Sequence, residues 1–413
     1  MDRRQVLATF GVGMIGGLSG CLRLTGADDG STSTGEADGT AASTEGQPAD
    51  GSGESAAEEP GEVTLTENWS ADPGIDFAWV ENGRIYFNDF NGAASASHGG
   101  GVNWEAEVTY EGFENNFGAD AFAIGDDRVT FGYTPDPEVN ETLGGHFRTF
   151  DTGTGEEAWR FAAPADGKHN FAVGATRVAE TVVVATSSYG AQREQEPLVV
   201  GLDAESGEER WRTDKSTLPT TFLNYVGSYA GEVYVGMQSD GVQVLDPETG
   251  SLTEVRESWS VGRGWGTAWG QIHGDTLFAA DRGTSENETV LRAYPLGSQG
   301  REWSGTFEGT VTVGPVVDNS LVTVGTDAGT VYAFDRSTGE SLWDVGIDGS
   351  VGSIDTSAAH VWVGDGETGL TAYDRTDGTR VHRSTKPLGG DDIAVSDDVL
   401  LLGGSDVHAY WIE

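Results

Sequence analysis

One short cassette recurs along most of this chain and leaves few folds open to it. The clearest copy is Val331-Tyr332-Ala333-Phe334-Asp335-Arg336-Ser337-Thr338-Gly339-Glu340-Ser341-Leu342-Trp343. The alternation at its start is that of a β-strand. Asp335 is placed to accept hydrogen bonds from the following turn, and Gly339 supplies the positive φ that turn needs. Leu342 and Trp343 open a further strand, whose indole would fill the wedge between one unit and the next. Copies centred on Asp151 (Phe147 to Trp159) and Asp203 (Val199 to Trp211) keep these features. Val242 to Val255, centred on Asp246, lacks the terminal Trp; Leu370 to His382, centred on Asp374, has His382 in its place; Leu291 to Trp303 has Pro295 for the Asp.

Two more copies are incomplete. Ile85-Tyr86-Phe87-Asn88-Asp89 is followed late by Trp104, and Val407-His408-Ala409-Tyr410-Trp411 begins a copy at which the sequence stops. Glu62 to Trp69 reads like the missing closing strand. Centres lie roughly 37 to 62 residues apart, which suits a four-stranded unit with variable loops. The expected fold is therefore all-β: a single β-propeller of four-stranded blades over residues 63–413. Eight blades is the count; seven is the alternative, because the first copy lacks the turn glycine. Pairing of the N- and C-terminal strands would close the ring and remove its open edge.

The cassette resembles the pyrroloquinoline-quinone-type propeller repeat, also present in BamB-like lipoproteins of bacterial outer-membrane-protein assembly. The resemblance covers Val63 to Glu413. It implies a scaffold for protein partners, although an enzyme reading must be weighed. Quinoprotein dehydrogenases of this fold resemble one another in a vicinal cysteine pair near the cofactor and a calcium site with a catalytic carboxylate. This chain has one cysteine, Cys21, and its seven histidines are scattered without metal-ligand spacing. No nucleophile elbow or phosphate loop occurs. The expectation is a non-enzymatic protein without cofactor, PQQ included. A quinoprotein oxidoreductase is the second alternative.

The first 62 residues read as an address and a tether. Arg3-Arg4-Gln5-Val6-Leu7 resembles a twin-arginine export signal, directly followed by the mostly apolar run Ala8 to Leu18. Leu18-Ser19-Gly20-Cys21 resembles a lipobox, in which the cysteine becomes the lipidated N-terminus. The expected division is a signal peptide over 1–20, then Cys21 with an acidic linker over 21–62. That linker holds no aromatic residue and no Lys or Arg after Arg23, so it cannot bury enough apolar surface to offset its ordering entropy. The expected location is the outer face of the cytoplasmic membrane, held by the lipid anchor and facing the cell exterior.

The formal net charge is −44, and only Lys168, Lys215 and Lys386 are lysines. An acidic surface spread over the whole chain and nearly free of lysine resembles proteins of extreme halophiles and points to a haloarchaeon. Concentrated salt there screens the self-repulsion. A phosphate backbone would be repelled, so nucleic acid is not expected as a partner. Envelope or surface proteins are, with the chain itself a monomer. Asn68, Asn140 and Asn287 open N-x-Ser/Thr sequons and are candidate glycosylation sites.

If anything binds in the central funnel, the segments leading into the inner strands carry it. These include Lys168 to Phe171, Phe222 to Tyr225 and Gly264 to Trp269. Trp265, Trp269, His169 and Tyr225 form the candidate ligand platform, the basis of the first alternative: a ligand-binding surface lipoprotein with an aromatic funnel. Packing of the funnel wall is the competing role for the same rings. The insertion from Thr134 to His146, with Pro135 and Pro137, is a loop available to a partner.

Overall fold

The computed structural model describes residues 63–71, 77–81, 84–88, 92–97, 101–108, 116–135, 144–164, 171–187, 197–213, 218, 223–237, 241–262, 269–282, 287–365, 369–384, 392–396, 398–403 and 407–413. Among these, 32 β-strands form eight separate four-stranded antiparallel sheets, arranged as the blades of a propeller. In chain order, blades 1 to 7 span 77–107, 116–162, 171–213, 223–256, 270–308, 311–346 and 353–384. Blade 8 takes three strands from 392–412 and its outer strand, Leu65–Ala71, from the other end of the chain. Within a blade the strands run in order from the central axis outward. The innermost strands of neighbouring blades touch all the way round, including blade 8 against blade 1.

Ring closure is specific. Leu65 pairs with Ile412 and Trp69 with Ala409, in the register that pairs Trp343 with Ala333 and Trp303 with Ala293. Trp69 is thus the indole that the last cassette lacks. Beyond the strand, Thr64 and Glu413 exchange two backbone hydrogen bonds of 3.0 Å, and Val63 N–H donates to Val381 O of blade 7 at 3.1 Å. His382, in the Trp place of blade 7, has Nδ1 2.7 Å from Val63 O, so it too serves the seam.

The turn chemistry behaves as the cassette requires. Asp335 Oδ1 accepts from the N–H groups of Ser337 (3.0 Å) and Thr338 (2.8 Å) and from both their hydroxyls. Gly339 takes φ 71° and donates its N–H to Asp335 O at 2.8 Å. Between one blade and the next lie separate apolar clusters, such as Trp269, Phe278 and Leu291 of blade 5 with Val322, Val324 and Phe334 of blade 6. The cassette indoles of Trp104, Trp159, Trp211, Trp303 and Trp343 are each more than nine-tenths buried, and Trp69 is partly buried. Removing about 200 Å² of such a side chain from water contributes roughly 5 kcal/mol as an upper figure.

Two details of phasing differ from the sequence reading. Ile85–Asn88 lies on the second strand of blade 1, not the third. The third is Gly92–Ser97, and Ser95 pairs with Trp104 as Ala333 does with Trp343, so that Trp is not late. The third strand reads Gly-Ala-Ala-Ser-Ala-Ser, without the large apolar alternation that marks the other copies. In blade 4 the Trp place belongs to Glu254, which pairs with Val244; Val255 is its neighbour. The bulge between strands three and four is the same as in blades 2, 3, 6 and 7, and it sets the Trp place eight residues after the cassette Asp.

Candidate functional site

The cassettes meet at the joints between blades, and the joints explain why Asp, Gly and Trp recur together. Five indole N–H groups donate to the carbonyl of the residue just after the cassette Asp of the next blade. The five instances are Trp104 to Thr152 (3.0 Å), Trp159 to Ala204 (3.0 Å), Trp211 to Pro247 (2.7 Å), Trp303 to Arg336 (2.8 Å) and Trp343 to Arg375 (3.0 Å). The turn glycine of that next blade lies flat on the same ring. A Cβ on Gly339 would stand 2.4 Å from Trp303, and one on Gly250 2.3 Å from Trp211. Glycine is required there twice, for its backbone conformation and for the ring above it.

Blades 4 and 5 lack both halves of this joint and replace both. Glu254 stands in the Trp place and Pro295 in the Asp place. Arg256, almost fully buried, donates to Leu296 O at 2.9 Å, the carbonyl just after Pro295, and also to Ser298 O. Its guanidinium lies over the Trp259 ring, 4.4 Å from the centroid, and Glu254 pairs with it at 3.1 Å. Trp259 stacks on Tyr294 at 4.8 Å. A planar cation with several donors and a flat ring beneath it thus stand in for the indole and its turn. Sequence reasoning saw the two departures but not the residue that reconciles them. The available signal was a lone Arg two positions after the Trp place.

Nearer the axis, side chains of one blade satisfy inner-strand groups of the next. The Tyr225 hydroxyl accepts from Ile272 N–H at 3.0 Å, Gln271 Oε1 from Val317 N–H at 2.9 Å, and Asp355 Oδ2 from Val395 N–H at 2.6 Å. Thr176 and Ser228 share a hydrogen bond of 2.8 Å. Buried backbone donors need such partners, so these residues stitch the ring from within.

The candidate platform residues fall unevenly. Tyr225 is 4% exposed and makes the stitch just named; Trp269 is 1% exposed, packed among Phe278, Leu291 and Phe334. Trp265 and His169 lie outside the described residues, as do Cys21, Arg3, Arg4 and Asn140. The structure therefore brings no described pair of platform rings together on an open surface. Asn287 is exposed in a turn, and Asn68 is half-buried at the bulge of the closing strand. Of the insertion, Thr134, Pro135 and His146 belong to strands and 136–143 lie outside the described residues. His146 is buried against Tyr133, and burial with Arg148 nearby pushes its pKa down to about 3. The turn aspartates Asp151, Asp203, Asp246, Asp335 and Asp374 are held below the usual carboxylate range, chiefly by hydrogen bonds from their own turns and, for Asp203, from Arg210.

The chain offers a single cysteine where the quinoprotein enzymes use a vicinal pair, and the Trp269 ring is closed in by core side chains. Among the described residues, no group of three or more His, Cys, Asp or Glu is placed to hold a metal ion.

Comparison with known proteins agrees with this architecture. BamB from Moraxella catarrhalis superposes with a TM-score of 0.60 at 16% identity, covering 84% of this chain and 100% of that one. The C-terminal WD40 domain of Sif2 gives 0.60 at 12% identity, covering 84% and 98%. The quinohemoprotein alcohol dehydrogenase ADHIIG from Pseudomonas putida gives 0.55 at 12% identity, covering 85% and 76%. At these identities the likeness is one of fold alone. Comparison with the curated proteins finds no match. The family model for outer membrane protein assembly factor BamB matches twice in succession, over residues 144–285 and 286–410, together more than half of the chain. By its repeats, its ring of blades and this match, the chain belongs to the BamB family.

Proposed function

We propose that this protein is an exported, membrane-anchored, non-enzymatic propeller that serves as an interaction or assembly scaffold for envelope or surface proteins. Membership of the BamB family carries this reading. A BamB-like propeller suits interaction with other proteins, and here the recurring Asp, Gly and Trp are spent on turns and joints rather than on chemistry. The three large apolar side chains exposed among the described residues, Leu252, Val255 and Leu342, all sit on outer strands, at the rim where a protein partner would approach. The sequence of the first 21 residues supplies the address: Arg3 and Arg4 for export and Cys21 for the lipid.

Cross-linking of the full chain in its native membrane at high salt tests the scaffold. Envelope or surface proteins should co-purify reproducibly; a chain that captures none of them is not a scaffold. The address has its own tests. Cys21→Ser should release the protein or leave it unprocessed, and membrane retention of processed protein would overturn lipidation. Arg3-Arg4→Lys-Lys should block export; normal export removes the twin-arginine assignment.

A further inference from the structure

On the third strand of each blade, the residue before the one paired with the Trp place faces the preceding blade. In blade 6 it is Tyr332, whose ring packs 4.8 Å from Phe307 of blade 5 and whose hydroxyl donates to Glu308 O. Blade 2 has Arg148 there, buried and paired with Glu157; blade 5 has Arg292; blade 4 has Gln243. Blade 3 has a small residue, Val200, yet it is buried beside Phe161 of blade 2. Blade 7 has Thr371, only half-buried, and blade 6 offers it Gly346 and Ile347 rather than an aromatic ring. The wedge is left unfilled, as a cavity of about 260 Å³ between blades 6 and 7.

What lines this hollow is charged in pairs. Arg380 and Arg383 come from the outer strand of blade 7, which carries no carboxylate. Asp348 and Asp365 also line it. Arg383 and Asp348 approach to 3.2 Å across the mouth, where Asp348 is 92% exposed, so water weakens their hold on each other. Arg380 pairs with no carboxylate among the described residues. Asp365 is fixed in place by Gly369 N–H, which donates to Oδ1 at 2.8 Å. Tyr373 lines the hollow together with both arginines; burial pushes its hydroxyl pKa up and the charges of Arg380 and Arg383 draw it back. A strand with two arginines and no carboxylate is out of character for a chain of net charge −44, and neither Arg380 nor Arg383 takes part in a cassette turn.

We propose that the hollow between blades 6 and 7 binds a small zwitterion, its carboxylate on Arg380 and Arg383 and its ammonium group toward Asp348 and Asp365. The volume lies just under the range of roughly 300–1,000 Å³ that holds drug-sized ligands, which fits a molecule of amino-acid size. Two guanidiniums match a carboxylate, and the aspartates select against a simple anion. The proposal stands apart from the scaffold reading, because partner capture and small-molecule binding are measured separately.

Calorimetric titration of the full chain with L-glutamine, N-acetyl-L-glutamine and L-glutamine amide tests it. L-Glutamine should bind, and each derivative, which lacks one of the two charges, should bind at least about ten-fold more weakly. Thr371→Tyr, which copies the neighbouring blade and should therefore fold, should abolish binding. Arg380→Gln, a surface change that leaves the packing intact, should weaken it about ten-fold. No heat with any probe, equal binding of either derivative, or undiminished binding by Thr371→Tyr would each overturn the proposal.

Discussion

The joint between blades 5 and 6 and the joint between blades 4 and 5 close the same wedge with different chemistry. In the first, the Trp303 indole reaches the carbonyl after Asp335 and lies on Gly339. In the second, Arg256 reaches the carbonyl after Pro295, with Trp259 beneath it. The shared requirement is a buried donor aimed at one backbone carbonyl together with a flat, wide group that excludes water. In blades 4 and 5 both halves change together: the Trp is lost from one and the Asp and Gly from the next.

Removing the ring from the regular joint should cost most. Trp303→Ala is expected to lose about 4 kcal/mol, the range of large-to-small changes in a packed core, read from the denaturant midpoint at fixed salt. Arg256→Ala should follow closely at about 3 kcal/mol, because it strands Glu254 and two carbonyls against a buried gap. Glu254→Trp added to that variant should not restore stability, since blade 5 has no turn to receive an indole; recovery would mean that the joint does not need both halves. Gly339→Ala should cost about 2 kcal/mol through its backbone conformation and its clash with Trp303. Gly297, in the turn of the irregular joint, has nothing within 4 Å of where a Cβ would sit. Gly297→Ala should therefore stay within about 0.5 kcal/mol, and a large effect there would mean that this turn too is tightly covered.

The smallest expected effect separates the joints by pH. Hydrogen bonds from Ser337 and Thr338 hold the Asp335 carboxyl below its usual range, so its contribution is present above the unfolded pKa near 3.8. That contribution fades as pH falls further and the carboxylate takes up a proton. Asp335→Asn should flatten the fall in stability below about pH 4, whereas Pro295 supplies nothing to titrate at the other joint. An unchanged pH profile would show that the turn does not depend on the carboxylate's charge.

Most of the ring was legible because each cassette is local. An alternating strand, an Asp, a Gly four residues on and a Trp four later carry their own turn and bulge wherever they fall. The closing strand was legible for the same reason, since Trp69 completes a cassette begun at Val407. Blade 1 was mis-phased because Gly92–Ser97 replaces large apolar residues with Ala and Ser, and the signal lies in side-chain size. Arg256 went unseen because its role depends on Leu296, 40 residues away and in another blade. Tyr225 and Trp269 stood out as aromatic residues, but composition does not show whether a ring faces the channel or the core. Here both are buried.

The amino-acid sequence alone determined the blade, its turns and the pairing of the chain ends, because these depend on residues a few positions apart repeating often enough to be counted. Only the tertiary structure decided how the blades meet: which carbonyl Arg256 serves, which polar side chains stitch the inner strands, and where Thr371 leaves room. Those contacts join residues tens of positions apart across a wedge, and the wedge exists only once all eight sheets have closed into a ring.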